Sequence, residues 1–222
     1  MRPLFWVFSA LMSVLLLLGD AQLLQARPVS HAGGYTAMGS MSSTGQSLHV
    51  HYSPSVKYSL GYRAESYRQW SSMFQGAQLN ILLIRLNGEA SQANVYFKGA
   101  AGMQYALSHS DITKELEPAG FAGLAADWET RRYFVRYEGR LILDASINHM
   151  LRQSFRLGIA PYLGDYGELH TWFMGQLDYI TATADSHSIV VTPLVRFFYH
   201  TYLFEFGISH HGGVLFNFIV RT

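Results

Sequence analysis

Cysteine is absent from the 222 residues, which excludes disulfides, thiolate metal centres and thiol nucleophiles. Charged residues make up only 14% of the chain, and their signs nearly cancel at a formal net charge of +1. That balance offers no electrostatic footprint for nucleic acid. After Leu18 no apolar run approaches the roughly 20 residues of a membrane helix, so any span beyond that point has to be a closed barrel of strands. No dinucleotide fingerprint, P-loop, metalloprotease helix or calcium loop occurs, and the pattern points away from an enzyme.

Aromatic residues are plentiful, with 14 Tyr and 14 Phe among 222 residues. Many aromatics with few charges suit a surface facing lipid and its interfaces. Period two dominates: Tyr58, Leu60 and Tyr62 alternate with Ser59, Gly61 and Arg63, and Tyr202, Phe204, Phe206 and Ile208 alternate with Glu205, Gly207 and Ser209. Successive strand residues point to opposite faces, so such segments have one apolar and one mixed wall. Strands are expected over about 33–40, 46–53, 55–63, 76–86, 92–106, 119–128, 132–140, 150–161, 167–179, 187–198, 201–209 and 213–221. The reading is all-β, a closed antiparallel transmembrane β-barrel of about 12 strands, with ten as the alternative, because single-chain bacterial barrels have even strand numbers. From Ser53 onward the connections tend to alternate in length: Ser53-Pro54 is tight, Ala64 to Gln75 and Leu107 to Pro118 are long, and Tyr199-His200 is tight. Pro161 is expected at a strand end and Pro193 at a bulge or edge irregularity. Trp128, Trp172 and tyrosines near strand ends are candidates for interfacial girdles.

The ending Gly213 to Thr222 places Val214, Phe216, Phe218 and Val220 on one face. It resembles the final strand of outer-membrane β-barrels of Gram-negative bacteria, although Thr222 stands where that group usually closes on Phe or Trp. The resemblance implies outer-membrane lipid and the β-barrel assembly machinery as partners. The stretches Leu48 to Pro54, Leu169 to Trp172 and Thr192 to Phe197 look like a small group of bacterial proteins without an assigned activity, which implies no catalytic residues. At the other end, Arg2 before the apolar run Leu4 to Leu18 reads as a signal peptide over 1–26, cleaved after Ala21 or Ala26. Residues 27–222 are then one barrel domain in the outer membrane. The alternative is a periplasmic sandwich or lipocalin-like barrel, in which the apolar faces pack inward.

On the membrane reading, Arg63, Arg85, Arg132, Arg136, Arg152, Arg156 and Arg196 project into a lumen, with Lys57 and Lys98 beside them and Glu168, His170, Asp178 and Glu205 on the same side. Such a lining can brace the barrel through ion pairs or select small anions in a passive pore. Ser154, His170 and an acid raise lipid ester hydrolysis as a lesser reading. His49 and His51 share one strand face, a spacing suited to Cu(II), Ni(II) or Zn(II), and His31, Met38 and Met41 add ligands suited to copper. A structural or surface-interaction barrel is the rival from another class, resting on Trp70, Phe74, Glu115 and Glu117 in the longer loops.

Overall fold

A computed structural model describes residues 28–68, 71–106, 116–144, 149–165, 167–183 and 186–222. The expected signal peptide, with its cleavage sites, and the loop residues Trp70 and Glu115 lie outside them. Twelve strands form one closed antiparallel barrel. They are β1 (Tyr35–Ser42), β2 (Gly45–Ser55), β3 (Tyr58–Tyr67), β4 (Ser72–Asn87), β5 (Ser91–Ala106) and β6 (Glu117–Thr130), then β7 (Tyr133–Asp144), β8 (His149–Ile159), β9 (His170–Thr183), β10 (Ser186–Tyr199), β11 (Tyr202–Ile208) and β12 (Val214–Arg221). Each strand pairs with its chain neighbours, and β1 closes on β12 from Thr36↔Arg221 to Met41↔Phe216. Closure removes the unpaired backbone groups of a sheet edge.

The strand walls are inverted relative to a water-soluble barrel. Leu60, Leu86, Leu124, Leu157, Phe173, Ile189, Phe206 and Val214 are exposed on the outside. Glu65, Gln78, Asn80, Asn94, Arg140, Gln176, Asp178 and Glu205 are buried inside. Tyr35, Tyr52, Tyr58, Trp128, Tyr133, Tyr162 and Tyr199 are exposed and gather at the barrel end that carries both termini, since each lies at or near a strand boundary there. Their amphipathic rings suit a membrane interface. Trp172 is not among them; it turns inward against Phe134, with ring centroids 6.4 Å apart. Further along the wall, outward-facing amides are satisfied by tyrosines: Tyr62 donates to Gln75 at 2.6 Å, Gln75 donates to Tyr105 at 3.0 Å, and Tyr137 donates to Gln153 at 2.9 Å.

Several connections differ from the sequence expectation. The β2–β3 turn is Val56-Lys57, not Ser53-Pro54. Pro54 lies within β2, at a register irregularity between Tyr52 and Ser55, where a missing ladder donor is tolerated. Pro193 instead pairs with Gly175 with no register shift there, and its missing donor falls at the end of the β10–β11 ladder, which starts at Leu194. Pro161 follows the end of β8. The span Ala64 to Gln75 is mostly strand: β3 runs to Tyr67 and β4 begins at Ser72. Phe74, expected in an exposed loop, is 2% exposed and faces the lumen. The connection between β8 and β9, residues 160–169, is long although it lies at the end with the termini, which breaks the expected alternation.

The lumen is layered. Toward the end opposite the termini, Tyr67, Phe74, Phe121, Ile142, Met150 and Ile180 form an apolar cluster. Toward the termini, Val29 packs with Tyr96 and Ala125, while Phe134 and Trp172 reach Met174, Leu194 and Leu215. Val29 comes from the segment preceding β1, which enters the barrel mouth: Ser59 Oγ donates to the Pro28 carbonyl at 2.9 Å and Ser30 N donates to Ser53 Oγ at 3.0 Å. Between these layers lies a charged belt.

Candidate functional site

The belt surrounds a cavity of about 200 Å³. Among the described residues its wall carries seven cations, Arg63, Lys98, Arg136, Arg140, Arg152, Arg156 and Arg196, against three carboxylates, Glu65, Glu138 and Glu205. The opposite wall, on β1 and β2, is small and polar, with Gly39, Ser40, Ser42, Gly45 and Ser47. Alternation puts these side chains inside, while Gly39 borders the cavity through its backbone. Arg136, Glu138 and Arg140 occupy successive inward positions of β7, facing Arg156, Ser154 and Arg152 of β8. Gly123 sits between Lys98 and Arg140, where a Cβ would come within 3.0 Å of Arg140 Cγ.

Each carboxylate serves more than one cation. Glu65 accepts from Arg63 Nε at 2.7 Å and from both terminal nitrogens of Arg140 at 3.1 Å. Because Arg140 is on β7 and Glu65 on β3, this bidentate pair crosses the lumen. Glu138 accepts from Lys98 Nζ at 2.8 Å and from Arg136, and Arg140 Nε lies 3.7 Å away. Glu205 accepts from one nitrogen of Arg156 at 2.7 and 2.8 Å, from Arg196 Nε at 2.7 Å and from Asn217 at 2.6 Å. Arg156 also donates to Gln176. Arg152 is the loosest of the seven, with Asp178 at 3.6 Å. The Asp178 oxygen on that side has no hydrogen-bond partner, while the other accepts from Gln176 Nε2 at 2.5 Å.

Of the residues singled out in the sequence, Arg63, Lys98, Arg136, Arg152, Arg156, Arg196 and Glu205 line this cavity, as do Met38, His49 and Ser154. Arg85 lies nearer the termini, donating to Asn94 at 2.8 Å, and Asn94 in turn donates to Asp127 at 2.7 Å. Lys57 and Arg132 are exposed turn residues, and Glu168 is exposed in the β8–β9 connection, where it accepts from Asp165 N at 2.9 Å. Alternation extended past the strand ends predicts these three inward, but the strands stop short of them. His170 opens β9 beside Phe198, with ring centroids 6.2 Å apart. Ser154 pairs with Asp178, eight residues along β9 and about 27 Å from His170 at roughly 3.4 Å per residue. The serine and histidine needed for ester hydrolysis are therefore not brought together.

Glu65 and Arg140 were missed by sequence reasoning. Glu65 fell in a stretch read as loop, and Arg140 at an expected strand end. The i, i+2 series Arg136, Glu138, Arg140 was the available signal.

His49 and His51 are 5% and 1% exposed, with ring centroids 4.6 Å apart. Among the described residues no group of three or more His, Cys, Asp and Glu side chains converges. No protein-family model matches the chain, and no curated protein is significantly similar to it.

Proposed function

We propose that the barrel spans an outer membrane and gives small anions passage through its lumen. The observation that carries this reading is the excess of seven cations over three carboxylates around one cavity. A ring of guanidinium groups in a confined space raises the local concentration of anions and repels cations. The exposed apolar wall and the tyrosine-rich ring at the end with the termini support insertion into lipid. The cavity's volume of about 200 Å³ restricts the solute to a small one.

Ion conductance of the folded protein in a planar bilayer, under a salt gradient, tests the proposal. Small steps with an anion-selective reversal potential are expected. Arg152→Ala should weaken that selectivity, and because its ion pair is the long one at 3.6 Å, the stability cost should fall below the about 3–5 kcal/mol of breaking a tight buried pair. An inserted but silent barrel would overturn passage.

A second reading has its own support. The pairs Arg140–Glu65, Lys98–Glu138 and Arg156–Glu205 each join strands that are not neighbours, which is what a bracing role requires. A silent barrel that unfolds readily when these pairs are broken would favour it.

A further inference from the structure

We propose that the inner face of β1 and β2 holds a binding site for one monovalent soft metal ion, Cu(I), with His49 and His51 as nitrogen ligands and Met38 as the thioether. The inference is independent of whether the barrel conducts. His49 and His51 are two apart on β2, so their rings share one face. Met38 lies directly across from His49, and Thr36 across from His51. Met38 and His49 line the same cavity, so the thioether and an imidazole border one space. Gly61, paired with His51 on the other side, lets the two strands approach closely beside the second histidine, since a Cβ there would stand 2.1 Å from the Val50 carbonyl oxygen and 2.5 Å from His51 Cβ.

The hydrogen-bonding state of this face calls for an occupant. His49 Nε2, both ring nitrogens of His51 and Thr36 Oγ1 are buried without a hydrogen-bond partner. The Pro28 backbone lies close enough to engage one His51 ring nitrogen, and a neutral imidazole held there keeps the lone pair of its other nitrogen for a metal ion. Buried polar side chains are nearly always satisfied, and a cluster of exceptions signals a bound ion or water. A metal ion uses the lone pair of each neutral imidazole.

The donor set selects the ion. Two imidazoles and a thioether are neutral, and thioether sulfur prefers Cu(I). Calcium and magnesium need oxygen ligands, while a structural zinc site takes four ligands. Arg63 pairs across the strands with His49 and Arg221 with Thr36. Their charges oppose any cation, but oppose a divalent ion about twice as strongly as a monovalent one. Low coordination, soft ligands and nearby guanidinium groups together point to Cu(I).

The test is anaerobic titration of the folded full barrel in detergent with Cu(I), against a chromophoric Cu(I) chelator, and with Ag(I) by calorimetry. One ion per barrel is expected. His51→Ala should weaken binding at least 100-fold. Met38→Leu, which keeps the side-chain volume and so the fold, should weaken it at least tenfold. The exposed pair His210 and His211, with ring centroids 3.7 Å apart, is the competing site, and the H210A/H211A variant should bind as before. X-ray absorption of the loaded wild-type protein adds a readout independent of any variant: nitrogen and one sulfur scatterer are expected around copper. No stoichiometric binding, loss of binding in H210A/H211A, or a copper shell lacking sulfur would each overturn the site. Unchanged affinity in Met38→Leu would do the same, and the buried rings would then be bridged by water.

Discussion

Glu205 carries more of the belt than any other single residue. It is 2% exposed and holds Arg156, Arg196 and Asn217 through one carboxylate. Arg196 also lies over the Phe134 ring at 4.6 Å, so its position is fixed from two sides. Changing Glu205 to Gln keeps the shape but leaves two buried guanidinium groups facing one another without their anion. Breaking a buried pair by removing one partner costs about 3–5 kcal/mol. Urea unfolding of the barrel in lipid should show a loss of that size for Glu205→Gln. Adding Arg196→Ala to it should cost less than the sum of the two single changes, because they share one network. Strict additivity would mean that the observed contacts carry little energy. The same substitution also removes a negative charge from the cavity wall, so whatever anion selectivity the barrel shows should rise with it.

At the scale of the strand, alternation made most of the fold legible. The terminal strand shows how: Val214, Phe216, Phe218 and Val220 on one face force Leu215, Asn217, Ile219 and Arg221 onto the other, and the β1 pairing places that second face beside Thr36, Met38 and Ser40. The errors have a common origin. Period two says which face a residue occupies but not where the strand stops, so Lys57, Arg132 and Glu168 were carried inward past their strand ends. In the opposite direction, Glu65 looks like a residue of a solvated loop, because a polar lumen and water select the same residue types, while Ser66 on the outer face and Arg68 in the turn add to that composition. Pairings between distant strands, such as Arg140 with Glu65, depend on closure and have no local signature. Alternation also yields a test of lipid exposure. Leu124 sits midway along β6 and is 53% exposed. On a barrel in water, Leu124→Arg is nearly neutral, whereas near the midplane of a bilayer it costs about 2–4 kcal/mol. Refolding into vesicles should show that loss. A change within about 0.5 kcal/mol would return the barrel to an aqueous setting and remove the basis for passage.

For the whole molecule, the layering of the lumen separates two properties that a uniform pore would join. The charged belt is bounded by Tyr67, Phe74, Phe121, Ile142, Met150 and Ile180 on one side and by Val29, Tyr96 and Ala125 on the other. An ion crossing such a barrel loses hydration at the apolar layers, whose rings and alkyl side chains do not replace its water. Those layers should limit the conductance, while the belt should set the selectivity. Phe74 is 2% exposed and packs edge-on to Phe121 at 6.5 Å, whereas Phe121 also supports Arg63 and Arg140 at 5.4 and 5.0 Å. Truncating Phe74 therefore thins the layer without releasing those guanidinium groups. Phe74→Ala should raise the single-channel conductance severalfold and leave the reversal potential unchanged, at a stability cost of about 3–5 kcal/mol. Arg152→Ala should shift the reversal potential toward zero and leave the conductance within about twofold, since it removes one of the belt's positive charges and leaves the apolar side chains in place. If the two variants instead moved both quantities together, one constriction would control both, and the separation into a limiting apolar layer and a selective charged belt would fail.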